Sequence, residues 1–339
     1  MCNCRGDTYI DLWNIMTLIT IVVFVLIVCI VGSIIHNILK LSDLENKYIG
    51  EYKNFVEVES KNMNIYTIGE GEKTIVILSG FGIQSPVLEY KQLAQKLSEN
   101  YRVIILEYFG YGFSSKSETE RTNTKIVEEI RQALINSGIN GPYVLMPHSI
   151  SNLYAMKYSQ NHPEEVQAIV SLDGFYPTKI ESNSKEDDYL YNLGINTKFA
   201  WLVEKTGYMR LISYISPKMY RLDKMKNEFN YTDNEIKLYR KFIATKTLTK
   251  GMMNEIKYLK NNVKELENFK YNENLPVLNL LSNQTLDEKK YTNNLKQIIE
   301  KIITNKSIQK NIIITGSHYL EIDKIEDIVN YTNDFLNKI

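Results

Sequence analysis

The period of the hydrophobic positions changes several times along the chain, and each change marks an element. From Leu12 to Leu39 there is no Asp, Glu, Lys or Arg, and the stretch ITIVVFVLIVCIVGSII at 19–35 is almost wholly apolar. A helix of about 20 such residues crosses a bilayer, and Trp13 stands at one end, where interfacial aromatics sit. A cleaved signal peptide has a shorter apolar region and a small-residue cleavage site. Neither IVGSIIHNILK nor the residues after it offers A-x-A, and Val28 before Cys29 is bulky for a lipoprotein site. The expectation is a retained single-pass transmembrane helix, with a tail and helix over 1–40 and a polar connector over 41–53. The alternatives are a signal peptide or a buried core helix. Arg5 precedes the run, and Lys40, Lys47 and Lys53 follow it. By the positive-inside rule this points the main domain to the cytoplasm. A short tail before an uncleaved signal-anchor points it outward, so orientation stays open.

Beyond the connector the pattern alternates between strand and helix. NFVEVES and NIYTIGEG switch apolar and polar residues with period two, as an antiparallel pair with one wet face does. TIVILSG (74–80), YRVIILEY (101–108), PYVLMP (142–147), VQAIVSLD (166–173), LPVLNLLS (275–282) and KNIIITGS (310–317) are continuous β-branched or aliphatic runs, the mark of buried parallel strands. Helical spacing fills the intervals at 87–100, 124–138, 151–164, 291–305 and 324–339. Such alternation predicts an α/β fold: a mostly parallel sheet with helices on both faces. Between Asp173 and Leu275 it stops, and helical patterns rich in Lys, Glu, Asn and Tyr take over. No Gly/Ser linker bounds this stretch. It reads as a helical cap, about 178–274, over one end of the sheet, within a domain spanning 54–339; a separate helical domain is the alternative.

Composition narrows the classes. The 339 residues suffice for one sizeable core. Forty basic and forty acidic residues cancel, so nothing indicates a nucleic-acid partner. The three cysteines, Cys2, Cys4 and Cys29, all precede residue 30. The body of the chain can therefore form neither an internal disulfide nor a thiolate metal site. No metal or cofactor is expected.

In open α/β sheets ligands sit beyond the carboxyl ends of the strands. There the sequence places SGFG (79–82), FGYGFS (109–114), Ser149, Asp173 and His318. A serine, an acid and a histidine converge in that order. Serine needs a base within hydrogen-bond reach and the base an orienting acid. Of the four histidines, His36 lies at the end of the apolar run. His148 precedes the serine, so its side chain should turn away beneath the turn. His162 stands before Pro163 at a helix end. His318 is the expected base.

These motifs resemble the α/β-hydrolase family over roughly residues 54–339. LSGFG looks like the family's HG-x-x oxyanion loop with Ser79 for His, and LEYFGYGFSS like its D-x-x-G-x-G-x-S loop with Glu107 for Asp. MPHSISN stands where G-H-S-x-G stands, and TGSHYLEID looks like the loop carrying the catalytic histidine. The P-H-S-x-S elbow is similar to that of capped serine hydrolases: Pro147 and Ser151 are compact, as close strand–helix packing at a nucleophile elbow requires. The resemblance implies Ser149 as nucleophile, His318 as base, and the N–H groups of Phe81 and Ile150 as the oxyanion hole. For the acid it offers two positions, one after the 166–173 strand (Asp173) and one after the 275–282 strand. At the latter the usual position falls near Thr285, with Asp287 slightly late. Asp173 is favoured and Asp287 is the alternative. Phe81 and Phe109 would line an apolar mouth or belong to the core.

A serine nucleophile argues against the dehalogenase and epoxide-hydrolase chemistry of an aspartate nucleophile. The expected function is a membrane-anchored serine hydrolase that cleaves a carboxylic ester or related acyl bond through an acyl-enzyme. Its expected substrate is a small-molecule or lipid-like acyl compound, and it needs no cofactor. A proline-iminopeptidase-like peptidase and a catalytically inactive binding protein of the same fold are the alternatives.

Overall fold

A computed structural model describes residues 7–39, 51–205, 208–288 and 292–339. Most of the expected connector, 41–50, lies outside the described residues. One helix runs from Asp7 to Leu39, and within it Leu12–Ser33 is long and apolar enough to cross a membrane and has none of its length buried.

Eight strands form one sheet: β1 (Phe55–Val58), β2 (Lys61–Ile68), β3 (Thr74–Leu78), β4 (Arg102–Glu107), β5 (Tyr143–Pro147), β6 (Val166–Leu172), β7 (Val277–Ser282) and β8 (Gln309–Ile314). Their spatial order is β1-β2-β4-β3-β5-β6-β7-β8, with β1 and β2 antiparallel to their neighbours and the rest parallel. Successive strand side chains point to opposite faces, and β3 shows the result. Val76 and Leu78 enter one core layer with Ile126, Ile130 and Leu153, whereas Ile75 and Ile77 enter the other with Leu93, Leu97 and Leu336. Each central strand thus serves two cores, which is why these runs are apolar at every position.

Helices Asn123–Asn136 and Ser151–Asn161 cover the first face, and Lys91–Leu97 and Ile325–Leu336 the second. The predicted single helix at 87–100 is broken: Pro86–Glu89 and Lys91–Leu97 meet at Tyr90, whose backbone leaves the helical region at φ −91°, ψ 5°. That break drops the Tyr90 hydroxyl under the turn that follows β5, where it meets His148.

Between β6 and β7 the described residues form helices Lys185–Lys205, Tyr208–Ile215, Leu222–Asn227, Asp233–Lys246 and Lys250–Glu265. Polar contacts fasten these helices to the sheet-bearing body. Asn123 donates its backbone N–H to Asn262 Oδ1 (3.0 Å), and Asn262 Nδ2 donates to the Arg121 carbonyl (2.9 Å). Arg221 binds Glu89, and Glu255 accepts from the hydroxyls of Tyr111 (3.0 Å) and Tyr154 (3.3 Å). Hydrogen bonds of this kind between buried groups favour one arrangement of cap on body.

Glu255 carries a pH prediction. Burial pushes its carboxyl up to about 7, against the pull of Arg121 and the two tyrosines. Its unfolded value is about 4.3. Between these two values the folded state holds a proton that the unfolded chain has released. Stability therefore falls as pH rises from about 4.5 to about 7, and the loss is complete above that. Glu255→Gln keeps an acceptor for both hydroxyls and removes the titration. The variant should lose about 2–3 kcal/mol of the difference in unfolding free energy between pH 5 and pH 8, read by urea unfolding in detergent.

Candidate active site

The turn after β5 is built around an unfavourable backbone. Ser149 sits at φ +55°, a region that non-glycine residues enter at a cost. Four backbone hydrogen bonds hold it there. The Ser149 N–H donates to the Leu172 carbonyl (3.2 Å), and the Ser149 carbonyl accepts from Asn152 (3.1 Å) and Phe175 (2.8 Å). The preceding His148 N–H donates to Leu78 (2.9 Å). Pro147 pairs with Leu78 as the last residue of β5, so its missing N–H falls where the ladder ends. The effect is to thrust Ser149 Oγ out of the turn.

His318, four residues past β8, places Nε2 3.0 Å from Ser149 Oγ and Nδ1 2.6 Å from Asp173 Oδ2. Asp173 follows β6, itself at φ +42°, and is 2 % exposed, whereas the His318 side chain is 38 % exposed. The Asp173 carboxylate has further donors: Ser282 N–H to Oδ1 (2.8 Å) and Thr285 Oγ1 to Oδ2 (2.5 Å). Asp287 takes no part in this set; it is exposed on the short helix Asn283–Glu288. Thr285 stands where the sequence count places the acid of many relatives, and it meets the same histidine partner at second hand, through Asp173. The count located the position but gave no sign that a hydroxyl there would brace an acid arriving from the neighbouring strand.

Phe81 and Ile150 flank the serine. Among the described residues neither backbone N–H donates to a protein acceptor, the condition an oxyanion-binding donor must meet. The loop carrying Phe81 lies tight against the turn: a Cβ on Gly80 would come within 2.9 Å of His148 Nδ1 and 3.3 Å of Ser149 Cβ. Ser151, in place of the family's glycine, adds a clamp. Its hydroxyl donates to the Ser79 carbonyl and meets Tyr108 Oη at 2.9 Å. Phe109, by contrast, is fully buried in the core and lines no mouth.

His148 turns beneath the serine as expected. Its Nε2 lies 3.0 Å from the His318 carbonyl, an acceptor only, so Nε2 carries the hydrogen. Nδ1 then accepts from Tyr90 Oη (2.8 Å), and Tyr90 Oη in turn accepts from Gly80 N–H (3.3 Å). Burial pushes the His148 imidazole well below its ordinary value, with His318 and Arg221 adding to the effect, so it stays neutral and keeps this order of donors. One neutral ring thereby ties the loop of His318 to the loop of Phe81. His162 lies elsewhere, with Nε2 3.0 Å from Glu128. Glu107 ends β4 and accepts from the backbone N–H groups of Phe113 (2.7 Å) and Val87 (3.2 Å); its carboxylate braces the 109–114 loop.

Ser149 and His318 open onto a cavity of about 360 Å³. Phe175, Tyr176, Tyr189, Leu295 and Tyr319 give it an apolar wall, and Gln284, Glu288 and Thr292 a polar one.

A sequence profile of the alpha/beta hydrolase fold matches residues 73–206. The epoxide hydrolase of Bacillus megaterium superposes with a TM-score of 0.63 at 17% identity, over 84% of this chain and 100% of that one. This chain has the α/β-hydrolase fold. Epoxide hydrolase VrEH1 of Vigna radiata superposes with a TM-score of 0.59 at 18% identity, over 84% and 98% of the two chains. At these identities the likeness concerns the α/β-hydrolase fold and not the reaction. An uncharacterized protein of Bacillus subtilis (strain 168), YbdG, is 29% identical over 287 residues, 84% of this chain and 85% of its own length. A 1-acylglycerol-3-phosphate O-acyltransferase of Arabidopsis thaliana is 26% identical over 136 residues, 38% of this chain and 32% of the plant protein.

Proposed function

We propose that this chain is a membrane-anchored serine hydrolase that cleaves a carboxylic ester or related acyl bond through an acyl-enzyme on Ser149. The observation that carries the reading is the hydrogen-bonded line from Ser149 Oγ to His318 (3.0 Å) and from His318 to Asp173 (2.6 Å), at the edge of a cavity. In this reading His318 Nε2 takes the hydroxyl proton as Oγ attacks the carbonyl carbon. The imidazolium keeps its Nδ1 hydrogen on Asp173. The oxyanion receives the N–H groups of Phe81 and Ile150. His318 then gives the proton to the leaving alcohol, and the acyl group remains on Oγ. Water, deprotonated by the same nitrogen, releases the acid and restores the serine.

Ser149 also weighs against the reaction named for the epoxide hydrolases. A serine oxygen that opened an epoxide would be left in an ether, which neither His318 nor water can cleave under these conditions. A carbonyl substrate leaves an ester, which hydrolyses. The helix at Leu12–Ser33 supports the anchored part of the reading by its length and apolar surface. A lipid-like acyl substrate fits a protein so held.

The test is labelling of the purified full chain with a fluorophosphonate. Covalent modification of Ser149 is expected, and its loss in Ser149→Ala. A folded wild type that stays unlabelled would contradict the reading. Thr285→Val gives a graded check. Loss of the hydroxyl at Asp173 Oδ2 removes a hydrogen bond to a charged group, worth about 1.5–3 kcal/mol where fully made. Since Ser282 N–H still holds the other oxygen, kcat is expected to fall about tenfold with KM little changed, read by ester hydrolysis at saturating substrate.

A further inference from the structure

The cap helix Tyr208–Ile215 is apolar on two sides. Its inner side packs Met209 and Ile212 onto the core and buries Ser213. Its outer side carries Leu211, Tyr214 and Ile215, which are 53, 53 and 70 % exposed, and Met219 in the next turn is 61 % exposed. Leu211 lies three and four residues before Tyr214 and Ile215, so the three form one stripe. A surface helix of a water-bounded domain sets polar residues there. One exposed apolar side chain needs no explanation, but a stripe of them marks a contact surface.

A second observation indicates what the stripe contacts. The apolar helix Asp7–Leu39 meets the body of the protein at helix Asp233–Lys246, the same helix against which Tyr208–Ile215 packs. The fold therefore brings the helix that contains the bilayer-competent segment and the exposed stripe to one cap helix. Lys218, exposed between Ile215 and Met219, suits the height of lipid headgroups, where a lysine can keep its charge in the polar layer while its stem lies along apolar surface.

We infer that Leu211, Tyr214, Ile215 and Met219 form a membrane-contact surface, which lies in the interfacial layer of the bilayer that Leu12–Ser33 crosses. The inference rests on the anchored reading above. It adds that the cap itself, and not only the N-terminal helix, touches lipid. Interfacial helices bury their apolar face at the headgroup–acyl boundary, and this stripe is laid out for that depth.

The test uses the full chain with Cys2, Cys4 and Cys29 replaced by serine, reconstituted into vesicles of equal parts phosphatidylcholine and phosphatidylglycerol. A single cysteine is introduced by Leu211→Cys or Ile215→Cys and labelled with an environment-sensitive NBD fluorophore. Lys306→Cys, an exposed position at the amino end of β8, is the control. The inference predicts that the protein floats with the vesicles. It further predicts that the probes at 211 and 215 shift to the blue and lose intensity to doxyl-labelled lipid, while the probe at 306 does neither. Flotation with all three probes behaving alike would overturn the membrane-contact surface and leave the anchor standing. Failure to float would overturn the anchor and the surface together. Quenching restricted to a protein that has self-associated, read by cross-linking, would assign the stripe to a second copy and overturn the lipid assignment.

Discussion

Ser149→Ala is expected to lower kcat for ester hydrolysis by about 10⁵–10⁶-fold, with the fold intact. Removing Oγ removes the atom that the turn after β5 places 3.0 Å from His318 Nε2. The residual rate should stay above that of water, because the N–H groups of Phe81 and Ile150 and the cavity remain. The variant should fold normally. Ser149 pays for its φ of +55° through backbone hydrogen bonds that alanine also makes. Circular dichroism and the urea midpoint should match wild type while turnover of a p-nitrophenyl ester falls by that factor. An active Ser149→Ala would assign the chemistry to another residue.

The second large effect concerns the acid. Asp173→Asn is expected to lower kcat by about 10⁴-fold. The geometry gives the reason. Ser282 N–H faces Oδ1, so the asparagine carbonyl will settle there and turn its amide nitrogen toward His318 Nδ1 and Thr285. A donor facing Nδ1 forces the hydrogen onto Nε2, and Nε2 can then no longer accept the serine proton. Asp287→Asn, exposed on the helix Asn283–Glu288, is expected to stay within about twofold. Parallel kcat measurements on the two variants separate the alternatives, and a larger loss in Asp287→Asn would move the acid to that loop.

Much of the fold was legible because parallel strands covered on both faces need apolar residues at every position, and runs such as TIVIL and RVIILE announce that. The spatial order was not: nothing local says that β4 lies between β2 and β3, since that order is set by crossovers of the whole chain. The break at Tyr90 was hidden as well. Helical spacing continues through it, and the partners that hold the Tyr90 hydroxyl, His148 Nδ1 and the Gly80 N–H, belong to other segments of the chain. At the site, Ser149, Asp173 and His318 could be expected together because they follow β5, β6 and β8 of the same parallel sheet. The supporting contacts were out of reach. Thr285 reads as an unsuitable acid in one dimension, and becomes a donor to Asp173 only when β6 and β7 lie side by side. Ser151 reads as a tolerated replacement for glycine, whereas its hydroxyl ties the Ser79 carbonyl to the helix that follows the nucleophile.

The most direct test of the account is acid quenching of the full chain during turnover of a p-nitrophenyl ester, followed by intact and peptide mass spectrometry. The account predicts one added acyl group per chain, on the peptide that contains Ser149, and none in Ser149→Ala. Turnover without an adduct, or an adduct on any other residue, would contradict it.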